Sequence, residues 1–176
     1  MSSDKAVKLQ SESRVMRAFK VISSKKSEQL EMQFPQLKSS DCDLDDFNYD
    51  ARICIFDRFL DGDEAYELLE NVSKEERVKR DFKWSAFYDA LSKNFDIYMV
   101  KYRSEKLVFK APRSSKLLRD RLDKMETAGY VSFVIPELEL WYQQYWDDTH
   151  LVCYQDPEKL QSFKKTINDS GLFWLE

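Results

Sequence analysis

The single histidine, His150, limits the acid–base and metal chemistry that this sequence can support. It closely follows Asp147 and Asp148, and a carboxylate beside an imidazole can orient a general base. No serine or cysteine stands at a spacing that would mark it as the nucleophile of such a pair. One histidine excludes sites with several histidine ligands, and the three glycines lie too far apart for a glycine-rich phosphate loop. We therefore predict no catalytic residue, no metal site and no cofactor.

Clusters of carboxylates leave an enzymatic alternative open. The longest acidic run contains Asp41, Asp43, Asp45, Asp46 and Asp50. Hard cations need such oxygen ligands, but this run lacks the central glycine and the closing glutamate of a calcium-binding loop. An enzyme with a carboxylate-based site and no linear motif is the second alternative for the function.

The acidic–aromatic segment at 137–150, ELELWYQQYWDDTH, is the best candidate for a protein-binding site. Large aromatic side chains dominate the energetics of protein interfaces, and flanking carboxylates favour a basic partner. The candidate contact residues are Trp141, Tyr145, Trp146, Asp147 and Asp148. The competing interpretation is that Trp141, Tyr142 and Tyr145 form the buried stripe of a helix, since their spacing is helical. Trp146 lies beside that stripe, so we expect it to be exposed.

Basic residues in the middle of the chain support nucleic-acid binding as the first alternative. They are Lys101, Arg103, Lys106, Lys110, Arg113, Lys116, Arg119 and Lys124. They lie on a predicted hairpin and on the helix after it, where they could contact phosphates or read base edges. A hairpin rather than a second helix precedes this helix, so no helix-turn-helix is indicated. The whole chain is also acidic, with a pI of about 5.3, whereas nucleic-acid-binding domains often have a pI above about 9.

Charge is segregated along the chain. The net charge is +4 over residues 1–40, −9 over 41–73, +7 over 74–125 and −6 over 126–176. Such blocks can produce a bipolar surface that steers a partner, or they can fold against each other and neutralise. The acidic–aromatic segment lies in the last block, which favours a basic partner for it.

Hydrophobic spacing and capping signals predict an α+β fold. Residues 1–40 read as a polar, serine-rich arm in which apolar residues at 15–22 allow one short helix, and residues 41–176 read as a single domain. Strands are predicted at 51–56, 96–102, 105–110, 130–135, 149–154 and 172–175, and helices at 65–72, 73–94, 114–128, 136–145 and 156–170. Ser73, Ser114 or Ser115, and Asp156 are the expected N-caps.

Two segments, 107–134 and 151–175, share the order strand, proline turn, helix, glycine and strand. This predicts a mixed or antiparallel sheet with helices mainly on one face, and ferredoxin-like or split-βαβ elements in the C-terminal two thirds. The last strand consists of four consecutive apolar residues, LFWL, which predicts that it is internal to the sheet.

Bulk chemistry favours a cytoplasmic protein with no membrane partner. No run approaches the ~20 apolar residues that span a bilayer, and the N-terminus lacks the apolar core of a secretory signal. The cysteines, Cys42, Cys54 and Cys153, form no CxxC pair, and we expect reduced thiols. Taken with the missing catalytic motifs, this favours a non-catalytic protein-binding module, such as an adaptor or an immunity-type inhibitor of a basic toxin or nuclease.

Overall fold

The sheet is antiparallel and open. The computed structural model describes residues 18–38, 46–104, 106–124, 129–145 and 147–176. Within these ranges the strands are β1 (Phe19–Val21), β2 (Tyr49–Cys54), β3 (Tyr98–Arg103), β4 (Lys106–Pro112), β5 (Ser132–Ile135), β6 (Leu140–Gln143), β7 (Thr149–Tyr154) and β8 (Phe173–Leu175). They pair in the order β1-β4-β3-β5-β6-β7-β2-β8.

Five helices accompany the sheet in the described residues, and their caps follow from the sequence. They are α1 (Ser24–Gln33), α2 (Gly62–Ala65), α3 (Lys74–Asn94), α4 (Ser115–Leu122) and α5 (Gln161–Asp169). The side chains of Ser73 and Ser114 accept hydrogen bonds from backbone N–H groups in the first turns of α3 and α4. Asp156 caps the 3₁₀ turn Pro157–Leu160, which continues into α5. These three predicted caps are confirmed.

The α+β class is confirmed, and hydrophobic residues pack on both faces of the sheet. Helices α3, α4 and α5 cover one face, where their apolar side chains form one buried cluster with Met99, Phe133 and Val152 of the strands. On the opposite face, α1 and the 3₁₀ turn Pro35–Lys38 pack against β3, β4 and β5 through Leu30 and Leu37. The sheet is therefore the middle layer of the domain.

The antiparallel pairings determine which loops share one end of the sheet. β3, β6 and β2 end at the same side at which β4, β7 and β8 begin. The turn between β3 and β4, the loop between β6 and β7, and the segment after β2 therefore lie along one edge. We call this edge the loop edge.

The helix predicted at 136–145 is wrong. Pro136–Leu138 forms one 3₁₀ turn, Glu139 adopts a left-handed conformation with φ 50°, and β6 follows at once. Leu140 and Tyr142 face the helices, while Trp141 faces the opposite side of the sheet. Consecutive large residues satisfy a helical spacing and a strand alternation equally well, and Glu139 ends the helical path after one turn.

The burial predicted for the last strand is also wrong. Among the described strands, β8 pairs only with β2, so it lies at one edge of the sheet rather than inside it. Leu172, just before the strand, is buried, but Phe173 is exposed. An edge strand leaves its outer side open, and its residues face solvent more than those of a central strand.

At the N-terminal end, the described residues begin with β1 rather than with the predicted helix at 15–22. Phe19–Val21 pairs with the end of β4, and α1 starts only at Ser24. Residues 1–17, which hold the first part of that predicted helix, lie outside the described residues, as do Cys42 and most of the acidic run. The division of the chain at residue 40 stays a prediction.

Candidate functional site

Asp148 lies on the loop edge and is held by two side chains of α3. Its carboxylate accepts hydrogen bonds from Trp84 Nε1 at 3.0 Å and from Arg80 Nη1 at 3.3 Å. Its backbone has φ 55°, a left-handed conformation that aspartate adopts more readily than most residues. The contact with α3 therefore fixes the end of the β6–β7 loop, and Asp148 does not stand free in solvent.

Arg80 is a buried cation at the centre of this arrangement. Besides Asp148, its guanidinium donates to the carbonyl oxygen of Leu68 at 2.8 Å and contacts the carboxylate of Glu76. It also lies 4.9 Å from the ring centroid of Phe56. A buried charge is tolerated only when it is paired and hydrogen-bonded, and Arg80 meets this condition through three separate chain segments.

The other candidate residues of the acidic–aromatic segment have different environments. Trp141 is half-buried on the α1 face, where its Nε1 donates to Ser132 Oγ at 2.7 Å and its ring stacks on Phe47. Asp147 accepts a hydrogen bond from the backbone N–H of Thr149, and burial together with the neighbouring Asp148 raises the pKa of its carboxyl. Tyr145 is exposed. Trp146 lies outside the described residues, so its predicted exposure stays a prediction.

His150 is fully buried beside this loop. Its imidazole stacks on Trp84 with ring centroids 4.0 Å apart, and Nδ1 shares a hydrogen bond with the hydroxyl of Tyr142. Burial lowers the pKa of His150 to about 3, so the ring is neutral at neutral pH. In this arrangement the imidazole is enclosed by Trp84 and Tyr142 and contributes to core packing.

A buried amide fixes the beginning of the same loop. Gln144 accepts a hydrogen bond from the backbone N–H of Val131 at 2.9 Å, and its Nε2 donates to Tyr88 Oη and to the carbonyl oxygen of Leu122. Burial raises the pKa of the Tyr88 hydroxyl, which therefore stays protonated. With Gln144 at one end and Asp148 at the other, the loop is anchored on both sides of the exposed Tyr145.

A second acidic and aromatic segment, residues 57–67, belongs to the same site. The N–H of Ile55 donates to the carbonyl oxygen of Asp148, and Arg80 bridges Asp148 to Leu68, so both ends of this segment are held near the β6–β7 loop. The segment contains five acidic residues and one basic residue. Its aromatic side chains Phe59 and Tyr66 are 60% and 59% exposed, compared with 42% for Tyr145. We call segment 57–67 together with Tyr145 and Asp147 the paired-loop surface.

The sequence contained only a partial signal for this second segment. The net charge of −9 over residues 41–73 marks the segment as acidic. However, LDGDE at 60–64 has the composition of a turn, and a helix at 65–72, as predicted, would have buried its apolar side. Instead α2 is a single turn that continues as a π-helical turn at Tyr66–Glu70. Tyr66, at the start of this turn, is exposed.

The basic residues of the middle block fall into two groups. Lys101, Arg103, Lys106 and Lys110 share the α3 face of the β3–β4 hairpin, as the strand register requires. Arg113 and Lys116 follow the far end of β4, so their backbone lies about 20 Å from Lys106 at a strand rise of about 3.3 Å per residue. On α4, Arg119 pairs with Asp123, and Lys124 lies exposed after the last turn.

Within the residues that the structure describes, no group of three or more histidine, cysteine or acidic side chains is placed to hold a metal ion. Cys54 and Cys153 are both buried. Among the same residues, no helix combines the length and apolarity needed to cross a bilayer.

Comparison of the chain with protein-family models, with curated proteins and with solved structures finds no match. Its function is therefore inferred from its own residues.

Proposed function

We propose that this protein is a non-catalytic protein-binding module that contacts a basic partner through the paired-loop surface. An adaptor, or an immunity-type inhibitor of a basic toxin or nuclease, would need only such a surface. The observation that carries the proposal is the set of hydrogen bonds formed by Asp148 and Arg80. These bonds bring two acidic, aromatic segments from distant parts of the chain to one place on the loop edge.

The composition of this surface supports the choice of partner. Exposed aromatic rings supply the apolar contact area from which interface hot spots are made. The carboxylates around them would accelerate encounter with a positively charged protein and disfavour an acidic one. Asp63 and Glu67 are both exposed, so their charge is available to a partner.

The anchoring of the loops supports tight binding. Gln144, Asp148 and Arg80 are engaged inside the protein and hold the backbone on which Phe59, Tyr66 and Tyr145 are presented. A surface that is ordered before binding loses less conformational entropy on association. Asp148 is therefore a positioning residue in this proposal, and the contacts come from its neighbours.

The experiment is a comparative capture with the tagged full chain and a lysate of the native host. The test variant replaces the exposed aromatics of the paired-loop surface, Phe59→Ser, Tyr66→Ser and Tyr145→Ser. The control variant removes three exposed apolar side chains elsewhere, Met32→Ser, Val78→Ser and Phe82→Ser. We expect basic proteins that the wild type and the control retain and that the test variant loses. If no protein is lost selectively by the test variant, the proposed site is wrong.

We also propose that the sheet contains two split βαβ units, whose βαβ connections lie in the C-terminal two thirds and of which the second takes β2 as its middle strand. In the first unit, α4 connects β4 to β5, and β3 lies between these two strands in the sheet. In the second unit, α5 connects β7 to β8, and β2 lies between them. In each unit, two strands that run in the same direction flank a third that runs the opposite way. This supports the repeat of strand, proline turn, helix, glycine and strand read from the sequence.

A further inference from the structure

The tip of the β3–β4 hairpin projects beyond its neighbouring strands. β1 pairs with β4 only at Lys110–Pro112, and β5 pairs with β3 only at Tyr98 and Met99. The pairs from Lys101↔Val108 to Arg103↔Lys106 therefore have no further strand on either side within the described residues. This part of the sheet is a free two-stranded ribbon.

One face of this ribbon is fixed by packing. The hydroxyl of Tyr102 donates to the carbonyl oxygen of Leu37 at 2.7 Å, and Leu107 packs into the cluster beneath α1. The 3₁₀ turn Pro35–Lys38 thus supports the ribbon from behind. The support holds the opposite face in a defined orientation.

The opposite face is cationic. Lys101, Arg103 and Lys106 are all exposed there, and Arg103 lies directly across from Lys106. Like charges at directly opposite positions destabilise a strand pair. None of the ion pairs formed among the described residues involves these three side chains. Their repulsion would be relieved by an anionic ligand.

We propose that this cationic ribbon binds the phosphate backbone of duplex DNA. A two-stranded ribbon fits the major groove of B-form DNA, and each strand of the duplex carries one negative charge per ~3.4 Å of axis. Three cations spread over three residues of strand, about 7 Å, can therefore contact several phosphates. This proposal is independent of the paired-loop surface, which is acidic.

The composition of the face favours DNA over an acidic protein. Lysine is depleted in the cores of protein interfaces, whereas lysine and arginine supply most phosphate contacts. Val108 is the only apolar residue among the cross-strand pairs of this face, and it is partly buried. The face offers charge without the aromatic contact area that a protein hot spot requires.

The test is fluorescence anisotropy with a labelled 20-base-pair DNA duplex, titrated with the full chain at several salt concentrations. We expect non-specific binding with a Kd of about 10⁻⁴ to 10⁻⁶ M, and a slope of log K against log salt of about −3 for three phosphate contacts. The variant Lys101→Gln, Arg103→Gln, Lys106→Gln should lower affinity at least tenfold and flatten the slope. A control with the same change in charge, Lys74→Gln, Lys79→Gln, Lys165→Gln, should bind like the wild type.

Three results would overturn the proposal. The wild type could fail to bind DNA, or both triple variants could lose affinity equally, which would indicate bulk charge. Polyglutamate could compete as well as unlabelled DNA, which would indicate an acidic protein as the ligand. Should the triple variant unfold, the single variants Lys101→Gln and Lys106→Gln decide the question, because each should reduce the salt slope by about 1.

Discussion

Trp84 on α3 donates its indole hydrogen to the carboxylate of Asp148, 64 residues later in the chain, at 3.0 Å. The same carboxylate pairs with Arg80, one helical turn earlier. These two contacts fasten the β6–β7 loop to the helix layer, and through Arg80 they also fasten the segment after β2. The paired-loop surface therefore depends on a carboxylate that does not belong to it.

Replacing Asp148 should destabilise the protein even though the residue lies on a loop. Asp148→Ala leaves Trp84 Nε1 without its acceptor, removes one partner of a buried guanidinium, and puts alanine at a positive φ. We expect a loss of about 2 kcal/mol in the free energy of unfolding, measured by urea denaturation. Asp148→Asn, which keeps an acceptor oxygen and tolerates this φ, should lose about half as much. Equal stability of Asp148→Ala and wild type would show that these contacts contribute nothing.

The buried state of His150 gives stability a defined pH dependence. The unfolded chain takes up a proton on this residue below about pH 6.5, while burial holds the folded pKa at about 3. The unfolded state therefore binds more protons in this window, and the contribution of His150 to stability falls as the pH drops from 6.5 toward 3. The slope should reach about 1.4 kcal/mol per pH unit.

Because the chain has one histidine, NMR can follow this titration without assignment ambiguity. The imidazole signals should show no protonation above pH 4 in the folded protein. Tyr142→Phe, which removes the hydrogen-bond partner but keeps the burial, should leave the His150 pKa below 5. A midpoint near 6.5 in the folded wild type would mean that the ring is accessible to water.

Much of the secondary structure could be predicted because its signals are local. Caps such as Ser73 and stop signals such as Pro112 act within a few residues, so the helix start and the strand end near them could be read directly. The orientation of α3 about its own axis could not be predicted from such local signals. Val78 and Phe82 stand four residues apart, the spacing of one apolar face of a helix, yet both are exposed, and the buried face contains Arg80. Arg80 can be buried because it bonds to Asp148, 68 residues away, and to the carbonyl oxygen of Leu68, and no local pattern reveals these partners.

The candidate site was harder to predict than the fold. The carboxylates and aromatics of 145–148 could be singled out by composition, but their roles differ because burial differs. Asp148 is an internal partner, whereas Tyr145 is exposed. The contribution of 57–67 depends on hydrogen bonds from Ile55 and Arg80, and these follow from strand order, which the sequence does not specify.

The position of β8 at the sheet edge predicts unequal effects for two adjacent apolar residues. Leu172 is 1% exposed and Phe173 is 38% exposed. Leu172→Ala should cost about 3 kcal/mol, because it removes a buried side chain and leaves a cavity. Phe173→Ala should cost less than about 1 kcal/mol. Urea denaturation of both variants would measure these losses in the free energy of unfolding. Equal losses would place β8 inside the sheet, as the sequence alone suggests.

Reversing charge on the paired-loop surface should weaken binding of a basic protein there and strengthen binding of DNA at the cationic ribbon. Asp63→Lys with Glu67→Lys removes repulsion at the loop edge, so it should strengthen DNA binding by the cationic ribbon, measured by the anisotropy titration. The gain should be small and should disappear at high salt, because three strands separate β2 from β3 and salt screens charges at that distance. A gain that persists at high salt would contradict this explanation.

The central claim, that the paired-loop surface binds a basic protein, is tested most directly by the association rate of the captured partner. Surface plasmon resonance of wild type, Asp63→Lys/Glu67→Lys and the control Glu28→Lys/Glu158→Lys, each at 50 and 500 mM salt, separates local from bulk charge, since Glu28 and Glu158 are exposed away from the paired-loop surface. The account predicts that the paired-loop variant associates about tenfold more slowly at low salt, and that the difference from the control disappears at high salt. An association rate equal to that of the control at low salt would contradict it.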